Sequence, residues 1–353
     1  MERILKDAQF QEKLIAIAKK TGANQIQVYQ EAEEYLKELY AAQQPMANLA
    51  AIETSQYILS RGYEKTIDVN PAEIKQLTKL MRAHPVAFVM THKTYIDMLV
   101  LAVVLARHGL PLPYTFAGIN MNMFGIGQLG KQSGFIFIRR SFKDNLVYKA
   151  TLRHFIASLV NEQAHFMWAI EGTRSRTGKL VWPQMGILKY IMEAEQDSVQ
   201  DVKYVPVSIV YDLIPDVKEM TSEGRGKAKK QESLAWFMDY VRKMGDKFGR
   251  IAIRFGEPVE VDGKHTTPIP NKEESVILNK KFHIPRFAFE LVHRINQITP
   301  VTTTSLICNT LLSKYALHKR AIESDISEFM RLVENHNPDA LVDRGRRLGR
   351  VCE

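Results

Sequence analysis

Short apolar runs alternate with longer amphipathic stretches from residue 86 onward. The apolar runs cover 86–90, 135–138, 166–170, 204–210 and 251–255. The stretches with helical spacing lie between them, at 95–108, 143–164, 184–196 and 231–248. Strands that alternate with helices predict a mainly parallel sheet covered by helices on both faces. The predicted fold class is therefore α/β.

Helical patterns flank this region on both sides. One helical face before it is formed by Val28, Ala32, Tyr35, Leu36 and Leu39. Pro45 can begin a further helix. We predict an N-terminal helical domain at 1–68, an α/β domain at 69–300 and a C-terminal helical extension at 301–353. The basic end of that extension is interpreted as a tail or as the start of a further segment. The charged segment 218–230 is predicted to be a mobile loop.

Charge points to an anionic partner. The chain of 353 residues has a formal net charge of +9, and residues 1–60 hold six Lys/Arg against eight Asp/Glu, so the excess lies in the remainder. A basic balance favours phosphate esters, an acidic carrier, an anionic membrane or nucleic acid. The two cysteines, Cys308 and Cys352, form no Cys-x-x-Cys motif. They predict a reducing compartment without a disulfide framework or a zinc site.

The sequence predicts a cytoplasmic protein that lies on the inner face of a membrane. The acidic residues near the start are not typical of a signal peptide. The longest apolar run is 98–106, shorter than the roughly 20 residues that a spanning helix needs. Peripheral attachment through the N-terminal helices or the 218–230 loop is the corresponding hypothesis.

Polar clusters follow three of the apolar runs, at 91–97, 139–140 and 171–176. In an open α/β sheet, ligands bind in the crevice outside the carboxyl ends of the strands. The three clusters can therefore face one crevice. His154 and His165 have no metal-ligand spacing, and the chain contains no dinucleotide-binding, P-loop or Gly-x-Ser-x-Gly motif. Nucleic-acid binding is not favoured, because aromatic residues do not interleave with the basic ones.

The first cluster contains His92 and Asp97. On a regular helix a separation of five residues turns through about 500°, so the two side chains would diverge. They can meet if His92 lies in the turn before a helix, for which Thr94 is the predicted N-cap. The pair can then act as a proton acceptor and its orienting carboxylate. A purely structural interpretation, with Asp97 completing a capping box, is compatible with the same arrangement.

The second cluster is Arg139-Arg140. Guanidinium groups bind phosphate oxygens in a bidentate manner, so the pair can form a phosphate clamp. It can equally be a solvated strand end. Adjacent residues of a strand point in opposite directions, and we favour Arg140 as the one that reaches a ligand.

The third cluster, Glu171–Lys179, is the most specific segment. Gly172 would allow the backbone to approach a ligand closely. The Thr and Ser hydroxyls, Arg174 and Arg176 can form a phosphate-binding nest. A carboxylate beside a phosphate is unfavourable unless it is paired, so Glu171 is predicted to hold Arg174 or Arg176. The alternative is a flexible basic turn.

Together these segments resemble the glycerolipid acyltransferases, and within them the glycerol-3-phosphate and dihydroxyacetone-phosphate acyltransferases. The matching blocks are His-x4-Asp at 92–97, Phe-Ile-Arg-Arg-Ser-Phe at 137–142, Glu-Gly-Thr-Arg-Ser-Arg-Thr-Gly-Lys at 171–179 and Val-Pro-Val at 205–207. Residues 295–302 also look like a segment of this group. The resemblance covers about residues 84–310. It departs slightly from the common pattern at Lys93-Thr94, and Pro206 is expected at the edge or the start of its strand.

The resemblance implies a role in phospholipid biosynthesis. A fatty acyl group would pass from acyl-CoA or acyl-ACP, as co-substrate and without a cofactor, to the 1-hydroxyl of glycerol 3-phosphate. His92 would be the base and Asp97 its orienting group. Phosphate binding would fall to Arg139, Arg140, Arg174, Arg176 and Lys179, with supporting roles for Glu171, Gly172, Ser175 and Pro206. The alternatives are dihydroxyacetone-phosphate or lysophosphatidate as acceptor, or a non-catalytic protein that binds anionic lipid or nucleic acid.

Overall fold

The computed structural model describes most of the chain. The described residues are 1–119, 126–139, 141–142, 145–175, 179–196, 198, 200–226, 234–245, 247–261, 266–267, 281–313, 318–337 and 340–342. Arg140, Arg176 and the basic end of the chain therefore lie outside the described residues.

A seven-stranded sheet forms the centre of the fold. Its strands are β1 (Asp68–Val69), β2 (Val86–Met90), β3 (Tyr114–Gly118), β4 (Phe135–Ile138), β5 (Phe166–Ala169), β6 (Lys203–Tyr211) and β7 (Ile251–Phe255). Their order is β1-β7-β6-β2-β5-β3-β4, and every neighbouring pair is parallel except β6 and β7. A separate antiparallel pair joins β8 (Thr266–Thr267) to β9 (Lys281–Phe282). The predicted α/β class with a mainly parallel sheet is confirmed.

Helices cover both faces of the sheet. Those before β2 are α1 (Glu2–Leu5), α2 (Ala8–Thr21), α3 (Gln25–Leu39), α4 (Pro45–Gly62) and α5 (Pro71–Ala83). Those that follow are α6 (Asp97–Arg107), α7 (Ile126–Gln132), α8 (Leu146–Asn161), α9 (Gly186–Gln196), α10 (Val217–Gly224), α11 (Leu234–Lys243), α12 (Ile284–Gln297), α13 (Thr303–Ser313) and α14 (Lys319–His336). The searched helices include none whose length and apolar content would let it span a membrane.

Helix starts follow local chemistry. The side chains of Asp7, Asn24, Asn70 and Asn145 each accept a hydrogen bond from a backbone N–H of the first turn that follows. Pro45 occupies a first-turn position of α4, where its missing N–H costs nothing. A capping side chain or a first-turn proline thus marks the start of α2, α3, α4, α5 and α8.

The alternation of side chains along β2 divides the core into two layers. Ala87 and Val89 join the cluster that packs under α2, α3, α8, α9 and α12. Val86, Phe88 and Met90 join the cluster under α4, α5, α6 and α11. Because successive residues of a strand face opposite sides, a fully apolar strand must be buried on both faces. The end of β2 therefore opens at the middle of the covered sheet.

Two expectations need correction. The segment 218–230, predicted as a loop, overlaps α10 (Val217–Gly224), which the buried Met220 anchors, while 227–230 lie outside the described residues. Pro206 lies inside β6, a strand paired on both sides, and its carbonyl accepts a hydrogen bond from the Gly256 N–H at 2.8 Å. β3 was not predicted, since its short Tyr-Thr-Phe-Ala-Gly run lacks a continuous apolar pattern. The domain boundaries at 68 and 300 stay predictions.

Candidate active site

His92 and Asp97 meet at the carboxyl end of β2. The strand ends at Met90 and α6 begins at Asp97, so His92 lies in the intervening turn. The His92 Nδ1 is 3.2 Å from Asp97 Oδ2. A carboxylate only accepts hydrogen bonds, so Nδ1 carries the proton and Nε2 is the nitrogen that can accept one. The turn geometry that the sequence required for this pair is present.

Asp97 is held by three further hydrogen bonds. Its Oδ2 accepts from the backbone N–H of Lys93 at 2.7 Å and of Thr94 at 3.0 Å, and its Oδ1 accepts from the Tyr211 hydroxyl at 2.7 Å. Hydrogen bonds to an ionised acceptor are about twice as strong as neutral ones. The carboxylate is 1% exposed, so it orients His92 from a fixed position.

The predicted N-cap at Thr94 is wrong. The helix begins three residues later, and the turn before it is closed by the Asp97 carboxylate instead. The Thr94 hydroxyl is directed to Asp216, to which it donates a short hydrogen bond, and the residue at the N-cap of α6 is Ile96, which makes no side-chain cap hydrogen bond. Asp97 therefore combines the two interpretations of the sequence, because one carboxylate both closes the turn and orients the imidazole.

The loop after β5 is bound directly to the His92 turn. Glu171 is 1% exposed; its Oε2 accepts from the His92 N–H and its Oε1 from the Val181 N–H, each at 2.8 Å. The Ser175 N–H donates to the His92 carbonyl at 2.8 Å, and the Ser175 hydroxyl donates to the Lys179 carbonyl at 2.6 Å. The backbone of His92 is thus held on both sides by the neighbouring loop.

Gly172 makes the turn after β5 possible. Its φ is +64°, a conformation that L side chains rarely adopt, and an added Cβ would lie 3.0 Å from Gln184 Cγ. The turn is closed by the Gly172 N–H donating to the Ala169 carbonyl at 3.1 Å. Glycine is needed here for the left-handed backbone.

Arg174 has other partners than the predicted Glu171. Its NH1 is 3.2 Å from Asp216 Oδ1 and its NH2 is 3.7 Å from Glu223 Oε1. Its guanidinium carbon lies 4.0 Å from the centroid of the Tyr95 ring. The pairing with Glu171 is therefore wrong for Arg174, because the Glu171 oxygens accept from backbone N–H groups instead. Arg176, the other predicted partner, is outside the described residues.

Arg139 is not in contact with these two loops in the structure. Its Nε and NH2 donate to the two carboxylate oxygens of Glu38 on α3, at 2.8 and 2.5 Å. The guanidinium also lies over the rings of Tyr35 and Tyr148. β4 is three strands from β2 in the sheet order, which corresponds to about 14 Å. Its role in phosphate binding stays a prediction, as does that of Arg140, which is not described.

Lys93 brings a cation next to the two carboxylates. Its Nζ donates to the Ile209 carbonyl at 2.8 Å. Burial lowers the pKa of Lys93, while Asp97 and Glu171 oppose that shift. A lysine in this position can offset the charge of both acids without a direct hydrogen bond to either.

Sequence reasoning missed Lys93, Tyr211 and Asp216. Tyr211 carried a usable signal, since it directly follows the strand predicted at 204–210 and the other clusters also follow strands. Lys93 lies inside the His-x4-Asp block, where the departure from the common pattern was the signal. Asp216 had none, because it lies in a charged connection five residues after β6.

Comparisons with known proteins show what this chain is similar to. Residues 71–210 match the family model described as Acyltransferase, and residues 220–344 match the one described as Glycerol-3-phosphate acyltransferase C-terminal region. Together the two matches extend over most of the α/β unit and the helices after it. The resemblance to the glycerol-3-phosphate acyltransferases that the sequence motifs indicated is thus confirmed.

Two curated relatives match most of this chain. The plsB1 protein of Mycobacterium tuberculosis, whose assignment as an acyltransferase is provisional, is 36% identical over 307 residues, which are 86% of this chain and 48% of the relative. The glycerol-3-phosphate acyltransferase of Haemophilus influenzae is 29% identical over 313 residues, 86% of this chain and 38% of the relative. The chain therefore spans less than half the length of these relatives.

A solved structure is also similar to this chain. It is the 1-acyl-sn-glycerophosphate (LPA) acyltransferase PlsC from Thermotoga maritima, with a TM-score of 0.41 and 14% sequence identity. The match covers 84% of this chain and 98% of the PlsC chain.

Proposed function

We propose that this chain transfers a fatty acyl group from a thioester, acyl-CoA or acyl-ACP, to the 1-hydroxyl of glycerol 3-phosphate, giving lysophosphatidate. The observation that carries the proposal is the His92–Asp97 pair, with Nδ1 at 3.2 Å from a buried carboxylate. That contact directs the basic Nε2 away from Asp97. The match to the family model described as Glycerol-3-phosphate acyltransferase C-terminal region supports the choice of acceptor.

The proposed reaction is a direct transfer. His92 Nε2 takes the proton of the 1-hydroxyl while the hydroxyl oxygen attacks the thioester carbonyl. The C–S bond of the tetrahedral intermediate then breaks, and the imidazolium returns the proton to the leaving thiolate. Asp97 stabilises the imidazolium between these steps, as in other carboxylate–histidine pairs. The products are an ester and a free thiol, and no protein nucleophile takes part.

The acceptor phosphate is proposed to bind the cations that follow β4 and β5. We assign this role first to Arg140, Arg174 and Arg176, with help from Arg139 and Lys179. Arg174 supports the assignment, because its guanidinium is held next to Tyr95 in the same turn as His92. Guanidinium groups suit phosphate through paired N–H donors. Arg139 can help only through the nitrogen that Glu38 does not use.

Thiol release from palmitoyl-CoA tests the proposal. We expect release with glycerol 3-phosphate to exceed that with dihydroxyacetone phosphate or lysophosphatidate. His92→Ala should lower kcat by about 10²- to 10⁴-fold, the usual contribution of a general base. His108→Ala is the matched control, since His108 is exposed at the other end of α6, and it should leave kcat unchanged.

Two results would overturn the proposal. A near-normal kcat for His92→Ala would remove His92 as the base. The absence of thiol release with all three acceptors would instead favour a non-catalytic protein that binds anionic lipid, whose binding weakens uniformly with salt.

Peripheral contact with the inner face of an anionic membrane is part of the proposal. The formal charge of +9 supports it, and so does an aromatic pair close to the site. Trp182 is 74% exposed, and its ring centroid lies 5.2 Å from that of Phe289 in an edge-on contact. The exposed Arg286 lies one helical turn before Phe289 on α12. Exposed aromatic and basic side chains together favour a lipid interface. Trp182→Ser should reduce co-sedimentation with anionic vesicles at low salt, and a wild-type protein that stays in the supernatant would contradict the contact.

A further inference from the structure

Asp216 is a buried carboxylate on which several side chains converge. It is fully buried at the start of α10. The Thr94 hydroxyl donates to its Oδ2, and the Tyr240 hydroxyl lies 3.3 Å from the same oxygen. Arg174 NH1 lies 3.2 Å from its Oδ1. Both carboxylate oxygens are therefore occupied by groups from different parts of the chain.

The partners of Asp216 come from the two loops that form the site. Thr94 belongs to the turn that contains His92, and Arg174 belongs to the loop that begins with Glu171. Asp216 is 122 residues from Thr94 and 42 residues from Arg174 along the chain. It also lies outside both matched family segments, which end at 210 and begin again at 220. One residue from the connecting segment thus joins both loops.

The environment of Asp216 is not one that favours fold stability. Burial raises the pKa of Asp216, and the hydrogen bond from Thr94 and the charge of Arg174 only partly oppose this. Removing an ionised group from water is costly, and buried ion pairs seldom repay that cost in stability. A charge retained under these conditions is better explained by what it holds in place.

Arg174 is fixed by three contacts in three directions. Asp216 holds NH1, Glu223 lies 3.7 Å from NH2, and the Tyr95 ring lies under the guanidinium plane at 4.0 Å. Only 8% of the Arg174 side chain is exposed. The plane of the guanidinium group is therefore set before any ligand arrives, which reduces the entropy lost on binding.

We propose that Asp216 is a positioning residue that fixes Arg174 and Thr94 relative to each other. The loop after β5 and the turn that contains His92 are thereby held in the arrangement that forms one site. The inference rests on the proposed acyl transfer to glycerol 3-phosphate. The contact of Asp216 with Arg174, here called the Arg174 arm, serves the binding of the acceptor phosphate. The contact of Asp216 with the Thr94 hydroxyl, the Thr94 arm, serves the position of the His92–Asp97 pair, because the backbone N–H of Thr94 donates to Asp97 at 3.0 Å.

Two substitutions separate the two arms. Asp216→Asn keeps an oxygen that can accept from Thr94 but removes the charge that holds Arg174. We expect it to raise KM for glycerol 3-phosphate by about 10- to 100-fold, the factor for a hydrogen bond to a charged group, with KM for palmitoyl-CoA and kcat little changed. Thr94→Val removes only the hydroxyl and should lower kcat with little effect on KM for glycerol 3-phosphate. Asp216→Glu keeps the negative charge, so its KM for glycerol 3-phosphate should lie between the wild-type value and that of Asp216→Asn.

A matched control comes from the same connection. Asp212 also follows β6 and pairs with Arg250 at 3.1 Å, and no contact in the described part of the chain joins it to either site loop. Asp212→Asn should leave KM for glycerol 3-phosphate unchanged. Equal KM values for Asp212→Asn and Asp216→Asn, or an unchanged KM in Asp216→Asn, would overturn the positioning role.

Failure of the proposed function is distinguishable from failure of this inference. If the wild-type protein releases no thiol with any acceptor, the proposed function fails. Urea unfolding then tests separately whether Asp216 couples the two loops energetically. Thr94→Val and Arg174→Met should shift the midpoint non-additively in the wild-type background and additively in the Asp216→Asn background. Additive shifts in both backgrounds would show that Asp216 does not couple the loops.

Discussion

Arg139 and Arg174 occupy closely similar settings at two places along the sheet. Each follows a strand, each pairs with a carboxylate, and each guanidinium lies on a tyrosine ring, at 4.9 Å over Tyr35 and 4.0 Å over Tyr95. The distances alone do not separate the two arginines. Their surroundings do, because the Arg139 side chain is 37% exposed and the Arg174 side chain 8%.

The origin of the carboxylate explains the difference. Glu38 comes from α3, so the Arg139 pair fastens a helix of the N-terminal region to the end of β4 at the edge of the sheet. Asp216 comes from the connection after β6, so the Arg174 pair fastens two loops above the middle of the sheet. The same chemical arrangement therefore serves attachment at the edge of the sheet and alignment at its centre.

The largest expected difference between the two pairs is in stability. Arg174→Met removes the cation that pairs with the fully buried Asp216 and should lower the free energy of unfolding by about 3–5 kcal/mol, as expected when one partner of a buried pair is removed. Arg139→Met leaves Glu38 in contact with water and should cost about 1 kcal/mol or less. Urea unfolding at neutral pH measures both.

Equal losses in the two methionine variants would contradict this comparison. Circular dichroism of each folded variant is the control, since unchanged secondary structure shows that the difference comes from the pairs themselves.

The next largest effect should come from lowering the pH, which protonates Asp216 in the Arg174 pair. Burial raises the pKa of Asp216 above its ordinary value of 3.8. The Asp216 carboxylate therefore binds a proton more readily in the folded state than in the unfolded state. The contribution of Asp216 to stability is fully present below the ordinary value and is lost as the pH rises through the folded-state pKa. Wild-type protein should gain stability relative to Asp216→Asn as the pH falls from 7 towards 4. Parallel unfolding curves for the two proteins would exclude the effect.

The smallest expected effect is that of salt on the contribution of the Arg139–Glu38 pair to stability. Glu38→Gln should cost about 0.5 kcal/mol at low ionic strength, as is typical of a partly exposed ion pair. At 1 M NaCl the Debye length falls to about 3 Å, so the cost should shrink. The effect of Asp216→Asn should be the same at both salt concentrations, because that pair is buried. Salt dependence of the Asp216→Asn effect would weaken the contrast.

The sequence predicted the strands best where hydrophobicity is continuous. β2, β4 and β7 were predicted with their observed bounds, because Val-Ala-Phe-Val-Met, Phe-Ile-Phe-Ile and Ile-Ala-Ile-Arg-Phe are typical of buried strands. β3 was missed, because Thr115 and Gly118 interrupt its apolar pattern and pairing with β4 and β5 decides its state. Tertiary pairing of this kind leaves no local signal.

The site was predicted to the extent that neighbours in sequence decide it. The meeting of His92 and Asp97 follows from five residues and one turn, and it could be derived. The partners of Glu171 and Arg174 could not, since a carboxylate near an arginine in sequence has no fixed partner until the chain folds. Glu171 binds backbone N–H groups, while the distant Asp216 binds Arg174. Long-range contacts decided both.

Those long-range contacts have a consequence for the order of folding. The bonds of the site join residues far apart along the chain, by 79 positions between His92 and Glu171 and by 114 between Asp97 and Tyr211. Helices form within about a microsecond, whereas non-local pairings form late because loop closure must come first. A refolding chain should therefore regain its helical signal well before its His92 turn is in place. Intermediates rich in secondary structure but without a working site are the expected kinetic signature of this molecule.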